Sequence, residues 1–231
     1  MKKSIFAILV LGLCAQTTFA AIGGEAGNGG NATICFADPK TPFLGDYAID
    51  YLLTFRNGNT DIAKVNSWDD SKNRILRILE KGKTKELYNS FMHFVETMDN
   101  KTDYTRYRIW LEAPFGLVQL NDQKMIAQLP KSCVIKVFEP LGKESETVIQ
   151  AVVRVPGPGK IIRYNYDPAQ IEKMKKVPLQ YSFLMTHEWL WDVTTDVTVL
   201  RELNRYIHST AAENATQAQY QATLEALGIT Y

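Results

Sequence analysis

The segment Thr186-His187-Glu188-Trp189-Leu190-Trp191 contains the residue types in this chain that are best suited to chemistry. In His-Glu metallohydrolases, a helix carries two histidines four residues apart as zinc ligands, and the glutamate after the first acts as general base. Here the position of the second histidine is Trp191. The segment therefore matches only half of the zinc-protease pattern.

The helix that must position His187 and Glu188 is predicted over residues 178–191. Its apolar side chains cover nearly the whole circumference: Tyr181, Phe183, Leu184, Met185, Trp189, Leu190 and Trp191. A helix that is apolar on all sides is typical of a protein core. We therefore expect Glu188 to be buried, where an ionised carboxylate needs a charged or hydrogen-bonding partner.

Arg201 is the predicted partner of Glu188. The β-branched run Val193-Thr194-Thr195 favours a turn between two antiparallel helices, and His187 and Arg201 are equally distant from Thr194. This geometry brings Arg201 within reach of a bidentate pair with Glu188. Arg205 and His208 lie on the same face as Arg201. The sequence therefore predicts a structural polar network of His187, Glu188, Arg201, Arg205 and His208.

The same geometry argues against a zinc ion shared by the two histidines. His208 lies roughly 10 Å further along the helix axis than His187, at a rise of about 1.5 Å per residue. Zinc–nitrogen bonds are only about 2 Å long. We predict no metal ligands and no cofactor. The alternative, zinc-dependent catalysis with His187 and Glu188 as candidate catalytic residues, remains open.

The N-terminus has the pattern of a secretory signal peptide, residues 1–20. Lys2 and Lys3 precede an apolar run over residues 5–13, and Ala20 provides a small residue at the cleavage position. The run is too short to span a bilayer, and no later segment approaches the about 20 apolar residues of a membrane helix. The sequence predicts export to the periplasm or beyond, with no integral membrane segment after cleavage.

Composition limits the partners and the number of domains. The formal net charge of +1 gives no field that attracts nucleic acid, so we expect no nucleic-acid partner. Five glycines between residues 21 and 31 predict a flexible leader. The remaining residues, 32–231, suit a single domain. Other partners are not indicated.

Cys35 and Cys133 are the only cysteines outside the signal peptide. In an oxidising compartment two cysteines most simply form a disulfide bond with each other. Closing a loop of about 100 residues would stabilise the fold by about 4 to 5 kcal/mol in the chain-entropy model. Two separate buried thiols and a thiolate site are the competing interpretations.

Hydrophobic periodicity predicts an α+β fold. Helical patterns occupy residues 47–55 and, with a break at Lys81-Gly82-Lys83, residues 69–98. Strand patterns follow at residues 106–112, 133–138, 146–155 and 160–166, after an initial strand at 32–37. We expect a small antiparallel meander of three to five strands packed with the N-terminal helices.

A helical C-terminal third is predicted to begin at Asp167-Pro168, an N-cap followed by proline in the first turn. Three helices are expected, over residues 178–191, 196–209 and 215–227. Asn214 is the predicted N-cap of the last helix, and Gly228 is predicted to end it.

Several short segments, in this order, resemble a group of secreted proteins from predatory Gram-negative bacteria to which no reaction is assigned. The segments are Gly27-Asn28-Gly29-Gly30-Asn31, Ile34-Cys35-Phe36, Leu129-Pro130-Lys131-Ser132-Cys133, Leu184-Met185-Thr186-His187-Glu188-Trp189-Leu190-Trp191, Arg201, Asn204 and His208-Ser209. The resemblance implies export, a Cys35–Cys133 bridge and a His-Glu helix that faces an arginine.

Two functions fit these observations. The first is an exported binding or envelope-associated module with a buried His-Glu/Arg network. The alternative is a metal-dependent hydrolase of cell-wall or protein substrates that uses the degenerate His-Glu motif.

Overall fold

The computed structural model of the chain describes residues 30–40, 42–56, 61–99, 107–113, 117, 123–138, 144–159 and 161–230. The predicted signal peptide and residues 21–29 of the predicted leader lie outside these ranges. Gly30 and Asn31, the last two residues of that leader, are part of the fold. Asn31 begins the first strand and is only 5% exposed.

Within these ranges the chain forms nine α-helices and one short 3-10 helix, Lys131–Cys133. The α-helices are α1 (Ile49–Arg56), α2 (Trp68–Leu79), α3 (Glu86–Asp99), α4 (Gln123–Ile126), α5 (Pro168–Lys175), α6 (Pro178–Leu190), α7 (Val197–Ile207), α8 (Thr210–Asn214) and α9 (Gln217–Ala226).

Side-chain caps explain where several helices begin. Ser67 accepts a hydrogen bond from the backbone of Asp70 at the start of α2. Asp167 caps α5 in the same way, as predicted, and Asp196 caps α7. These side chains satisfy amide groups that have no partner within the helix. The predicted break near Lys81-Gly82-Lys83 is confirmed, because α2 ends at Leu79 and α3 begins at Glu86.

Eight strands form three small sheets among the described residues. They are β1 (Asn31–Cys35), β2 (Gly45–Ala48), β3 (Arg108–Glu112), β4 (Ile135–Phe138), β5 (Glu144–Thr147), β6 (Ile149–Gln150), β7 (Val152–Pro156) and β8 (Ile162–Tyr166). The strand orders are β2-β1-β6, β3-β8-β7 and β4-β5. Every pairing is antiparallel except β3 with β8, which is parallel and places Trp110 opposite Tyr164.

The predicted α+β class with small antiparallel sheets is confirmed, whereas the single meander is wrong. The last two strands of the predicted meander, β7 and β8, do pair as antiparallel neighbours. However, β6 pairs with the distant β1, and β3 pairs with β8 rather than with its neighbours in sequence. Alternation of apolar and polar residues identifies a strand but not its partner. The long segment between β3 and β8 leaves enough chain for a parallel crossover.

The C-terminal third contains more helices than the three predicted. α5 is a separate helix, and the one-turn helix α8 separates α7 from α9. The prediction that Asn214 caps the last helix is wrong, since Thr216 does so in a capping box with Gln219. Gly228 follows α9 with a φ of +72°, and it ends the helix as predicted.

The buried hydrophobic side chains of the described residues form two clusters. The larger cluster lies between the N-terminal helices, the C-terminal helices and the β3-β8-β7 sheet. The smaller surrounds the Cys35–Cys133 disulfide and includes buried side chains of α1 and α4. The disulfide predicted from the sequence is thus confirmed. None of the described helices combines the length and the apolar character needed to cross a membrane.

α6 is the central helix of the larger cluster. It packs against α1, α2, α5 and α7, and every residue from Gln180 to Leu190 is buried. The prediction of a core helix, made from its apolar circumference, is correct. His187 and Glu188 are therefore polar residues within the core.

Candidate functional site

Asp50, in the first turn of α1, is the acceptor at the centre of a buried polar cluster. Nδ1 of His187 donates to Oδ2 of Asp50 at 2.6 Å, and Nδ2 of Asn204 donates to the same oxygen at 2.8 Å. Nε of Arg201 lies 3.4 Å from Oδ1. Burial alone would raise the pKa of Asp50. The charge and hydrogen bond of His187, with Arg201 and Asn204, instead lower it to about 2.

Arg201 therefore pairs with Asp50, and the predicted Glu188–Arg201 pair is wrong. Among the described residues, neither carboxylate oxygen of Glu188 has a hydrogen-bond partner. Adjacent residues of a helix point about 100° apart, so the side chain level with His187 cannot also serve Glu188. The predicted level of His187 and Arg201 is consistent with the structure, because both contact the same carboxylate.

Glu188 points away from Asp50 and lies against Gly30, the first described residue of the chain. A Cβ atom on Gly30 would lie 2.6 Å from Oε1 of Glu188. The side chain is fully buried. Burial raises the pKa of Glu188 to about 7, only partly offset by the nearby charges of His187 and Arg154. Glu188 is therefore a carboxyl group that takes up or releases a proton near neutral pH.

A second, partly buried cluster, not predicted from the sequence, lies next to Glu188. Arg108 on β3 and Arg154 on β7 both donate to the carboxylate of Asp192, which follows α6. Burial raises the pKa of Tyr164 on β8, and the negative charges of Asp192 and Glu188 raise it further. Three strands and the end of α6 form this cluster, so no local spacing in the sequence could reveal it.

His208 belongs to a separate chain of hydrogen bonds. Its Nδ1 donates to the backbone carbonyl of Asn204 at 2.8 Å, which leaves Nε2 to accept from the hydroxyl of Ser182 at 2.7 Å. Ser182 also contacts Ser71 of α2. Burial lowers the pKa of His208 to about 3, so the imidazole is neutral in the folded protein.

The predicted network of five residues is thus divided in the structure. His187 and Arg201 contact Asp50, and His208 is connected to them through Asn204. Arg205 forms a partly exposed pair with Glu202 one turn away. Asn204, which sequence reasoning left out of the network, is the residue that connects its parts.

The described residues contain no group of three or more His, Cys, Asp or Glu side chains placed to hold a metal ion. The Asp50–His187 pair resembles the acid–imidazole pairs of hydrolases, in which a carboxylate accepts a hydrogen bond from one ring nitrogen. The other ring nitrogen, Nε2 of His187, has no hydrogen-bond partner among the described residues. The cavity beside His187 measures about 10 Å³, however. That is about the space that one water molecule requires.

A much larger cavity lies elsewhere, with a volume of about 370 Å³. Four aromatic rings line it: Trp68 of α2, Trp110 of β3, Tyr166 of β8 and Tyr181 of α6. The remaining lining side chains are Met98, Met185, Ile171, Asp99 and Lys175. This volume lies within the range of about 300 to 1,000 Å³ that is typical of small-molecule sites.

The two candidate regions are adjacent. One face of Trp110 stacks on Tyr164, with ring centroids 4.4 Å apart and planes 11° apart. Tyr164 in turn lies within the fields of Glu188 and Asp192. The stacked pair therefore separates the aromatic cavity from the buried charges.

Comparison of the chain with protein-family models, with curated proteins and with solved structures finds no match. The resemblance to secreted proteins of predatory bacteria stays a prediction.

Proposed function

We propose that this protein is an exported binding module, periplasmic or secreted, whose ligand site is the aromatic cavity. The single observation that carries the proposal is the cavity itself, about 370 Å³ and lined by four aromatic rings from four different elements. Small-molecule sites are typically concave, largely apolar and bounded by a few polar groups. The Cys35–Cys133 disulfide is compatible with an oxidising compartment and so supports export.

Binding of an environment-sensitive aromatic dye such as anilinonaphthalene sulfonate tests this proposal. We expect one saturable site per folded chain. Trp68→Ala removes one wall of the cavity and should weaken binding at least about tenfold, the loss expected from one aromatic contact.

Trp191→Ala is the matched control. Trp191 is another partly buried tryptophan at a helix end, and it is not among the residues that line the cavity. It should leave dye affinity unchanged. Equal affinities of the two variants, or the absence of saturable binding to the wild type, would contradict the proposal.

A metal-dependent hydrolase is the second candidate. It is favoured by the Asp50–His187 pair beside Glu188, whose pKa of about 7 suits general acid–base catalysis. It ranks second because the cavity at His187 admits no more than about one water molecule. Metal analysis of protein purified without chelator tests it, and one zinc ion per chain would reverse the ranking.

A further inference from the structure

The walls of the aromatic cavity are unusually rich in polarisable groups. Besides the two indole and two phenol rings, the thioethers of Met98 and Met185 contribute, and Ile171 is the one aliphatic side chain among the described lining residues. A site for a purely hydrocarbon ligand needs no such bias. Electron-rich ring faces and soft sulfur atoms attract a diffuse positive charge that carries little hydration.

The rings that line the cavity do not stack face to face with one another. Trp68 meets Tyr181 edge to face, with centroids 5.2 Å apart and planes at 75°. Trp110 and Tyr166 are tilted by 59°, with centroids 6.2 Å apart. Neither contact is a parallel stack; the parallel stack of Trp110 is with Tyr164, which is not among the residues that line the cavity.

One of these rings already carries a cation. Nζ of Lys72 lies 5.8 Å from the ring centroid of Trp68, within the range of a cation–π contact. This indole is thus placed where a positive charge is tolerated on one side.

Two opposite charges also line the cavity. Asp99 ends α3 and Lys175 ends α5, and both side chains are well exposed, at 63% and 44%. Each has a surface partner, Asp99 with Lys72 at 3.9 Å and Lys175 with Glu172 at 2.7 Å. The cavity therefore offers one carboxylate and one ammonium rather than a net charge of either sign.

We propose that the cavity binds a small zwitterion that carries a methylated ammonium group, as glycine betaine does. The trimethylammonium group lies among the four rings and the thioethers, and Asp99 adds a long-range attraction. The anionic end faces Lys175. This inference rests on the proposed function, because it names the ligand class of the same cavity.

Calorimetry with glycine betaine and with 3,3-dimethylbutanoate tests the proposal. The second compound has the same shape and the same carboxylate, but a neutral carbon replaces the nitrogen. We expect glycine betaine to bind roughly 5- to 30-fold more tightly, the ratio that a desolvated cation–π contact supplies. Trp68→Ala should abolish the difference, and Trp191→Ala should preserve it.

Lys175→Gln tests the orientation of the ligand. It should weaken glycine betaine several-fold and leave choline, which has no carboxylate, unchanged. Equal effects on both would overturn the assignment of Lys175. The Lys175 side chain is largely in solvent, so the variant is not expected to unfold.

The calorimetry and the dye-binding experiment together distinguish a wrong ligand class from a wrong binding function. If the isostere binds as tightly as glycine betaine, or if the dye binds and glycine betaine does not, the ligand class is wrong and the binding function stands. If neither ligand nor dye binds, both proposals fail. Co-sedimentation with phosphatidylcholine vesicles that glycine betaine reverses would identify a lipid headgroup as the source of the zwitterion. If the protein binds glycine betaine but does not co-sediment with the vesicles, the ligand is a free small molecule.

Discussion

Asp50 is the residue on which the buried polar cluster depends. It accepts hydrogen bonds from His187 and Asn204 and forms an ion pair with Arg201. Breaking a buried pair by removing one charge typically costs about 3 to 5 kcal/mol, because the remaining charge stays buried without compensation. This cost is a large fraction of the free energy of unfolding of an ordinary domain, which is about 5 to 15 kcal/mol.

We therefore expect Asp50→Asn to lower the free energy of unfolding by about 3 to 5 kcal/mol, as measured by urea denaturation. Glu202→Gln is the matched control, since it removes the same charge from the partly exposed pair with Arg205. It should cost less than about 1 kcal/mol. Similar losses in both variants would show that Asp50 is not the centre of the cluster.

Glu188 makes stability depend on pH. Its pKa in the folded protein is about 7, above the ordinary 4.5, so the folded state binds this proton more tightly than the unfolded state. Stability is therefore highest below pH 4.5 as far as this group is concerned, and it falls as pH rises toward 7. His208 acts in the opposite direction, because its lowered pKa makes stability rise with pH between about 3 and 6.5.

The Glu188→Gln variant measures the pH dependence of stability that Glu188 causes, because glutamine does not titrate. We expect the variant to gain about 2 to 3 kcal/mol more over the wild type at pH 8 than at pH 5, from denaturation curves at both pH values. Glu202→Gln should show no such difference. A gain or loss that is the same at both pH values would mean that Glu188 does not titrate in this range.

At the scale of elements, the contact between β1 and α6 depends on Gly30. Its φ is +52°, and an added Cβ would lie 2.6 Å from both Oε1 of Glu188 and the carbonyl oxygen of Val152. Its own carbonyl accepts hydrogen bonds from the amides of Ala151 and Val152. The start of β1 is thus joined to β7 and α6 at a point that excludes any side chain.

Gly30→Ala should lower the free energy of unfolding by at least about 2 kcal/mol more than Gly159→Ala. Gly159 has a similar φ of +70°, but an added Cβ there has no neighbour within 4 Å. The control therefore measures only the conformational cost, about 1 to 2 kcal/mol for alanine in the left-handed region. Equal losses in thermal or urea denaturation would show that the close approach to Glu188 is not restrictive.

The sequence predicted elements better than it predicted contacts. The apolar circumference of residues 178–191 correctly indicated a core helix, and the turn near Thr194 correctly placed His187 level with Arg201. Asp50 was missed because a polar residue at the start of a helix usually caps it at the surface, and nothing local indicates a partner on α6. The aromatic cavity was missed for the same reason, since its four rings come from α2, β3, β8 and α6.

At the scale of the whole molecule, the disulfide fixes one of the two hydrophobic clusters. It links β1 to the short helix before β4 across a sequence separation of 98 residues. In the chain-entropy model such a constraint reduces the conformational entropy of the unfolded chain and so raises its free energy by about 4 to 5 kcal/mol.

Replacing Cys35 and Cys133 by serine should therefore lower the free energy of unfolding by up to about 4 to 5 kcal/mol. Reducing the wild type should have a similar effect on the urea midpoint. The same reductant added to the double serine variant is the control, because that variant has no bridge to reduce and its midpoint should not change. An unchanged midpoint after reduction would contradict the contribution assigned to the bridge.

The polar cluster at Asp50 also determines when the chain can fold. Its hydrogen bonds join residues 137 and 154 positions apart, so α1 finds its partners only after α6 and α7 have been made. Until then Asp50 stays in water, because burying it alone would be unfavourable. Contacts of such long range slow folding, since extended loops must close before they contribute. We therefore expect Asp50 to become buried only late in folding, when the C-terminal third is present.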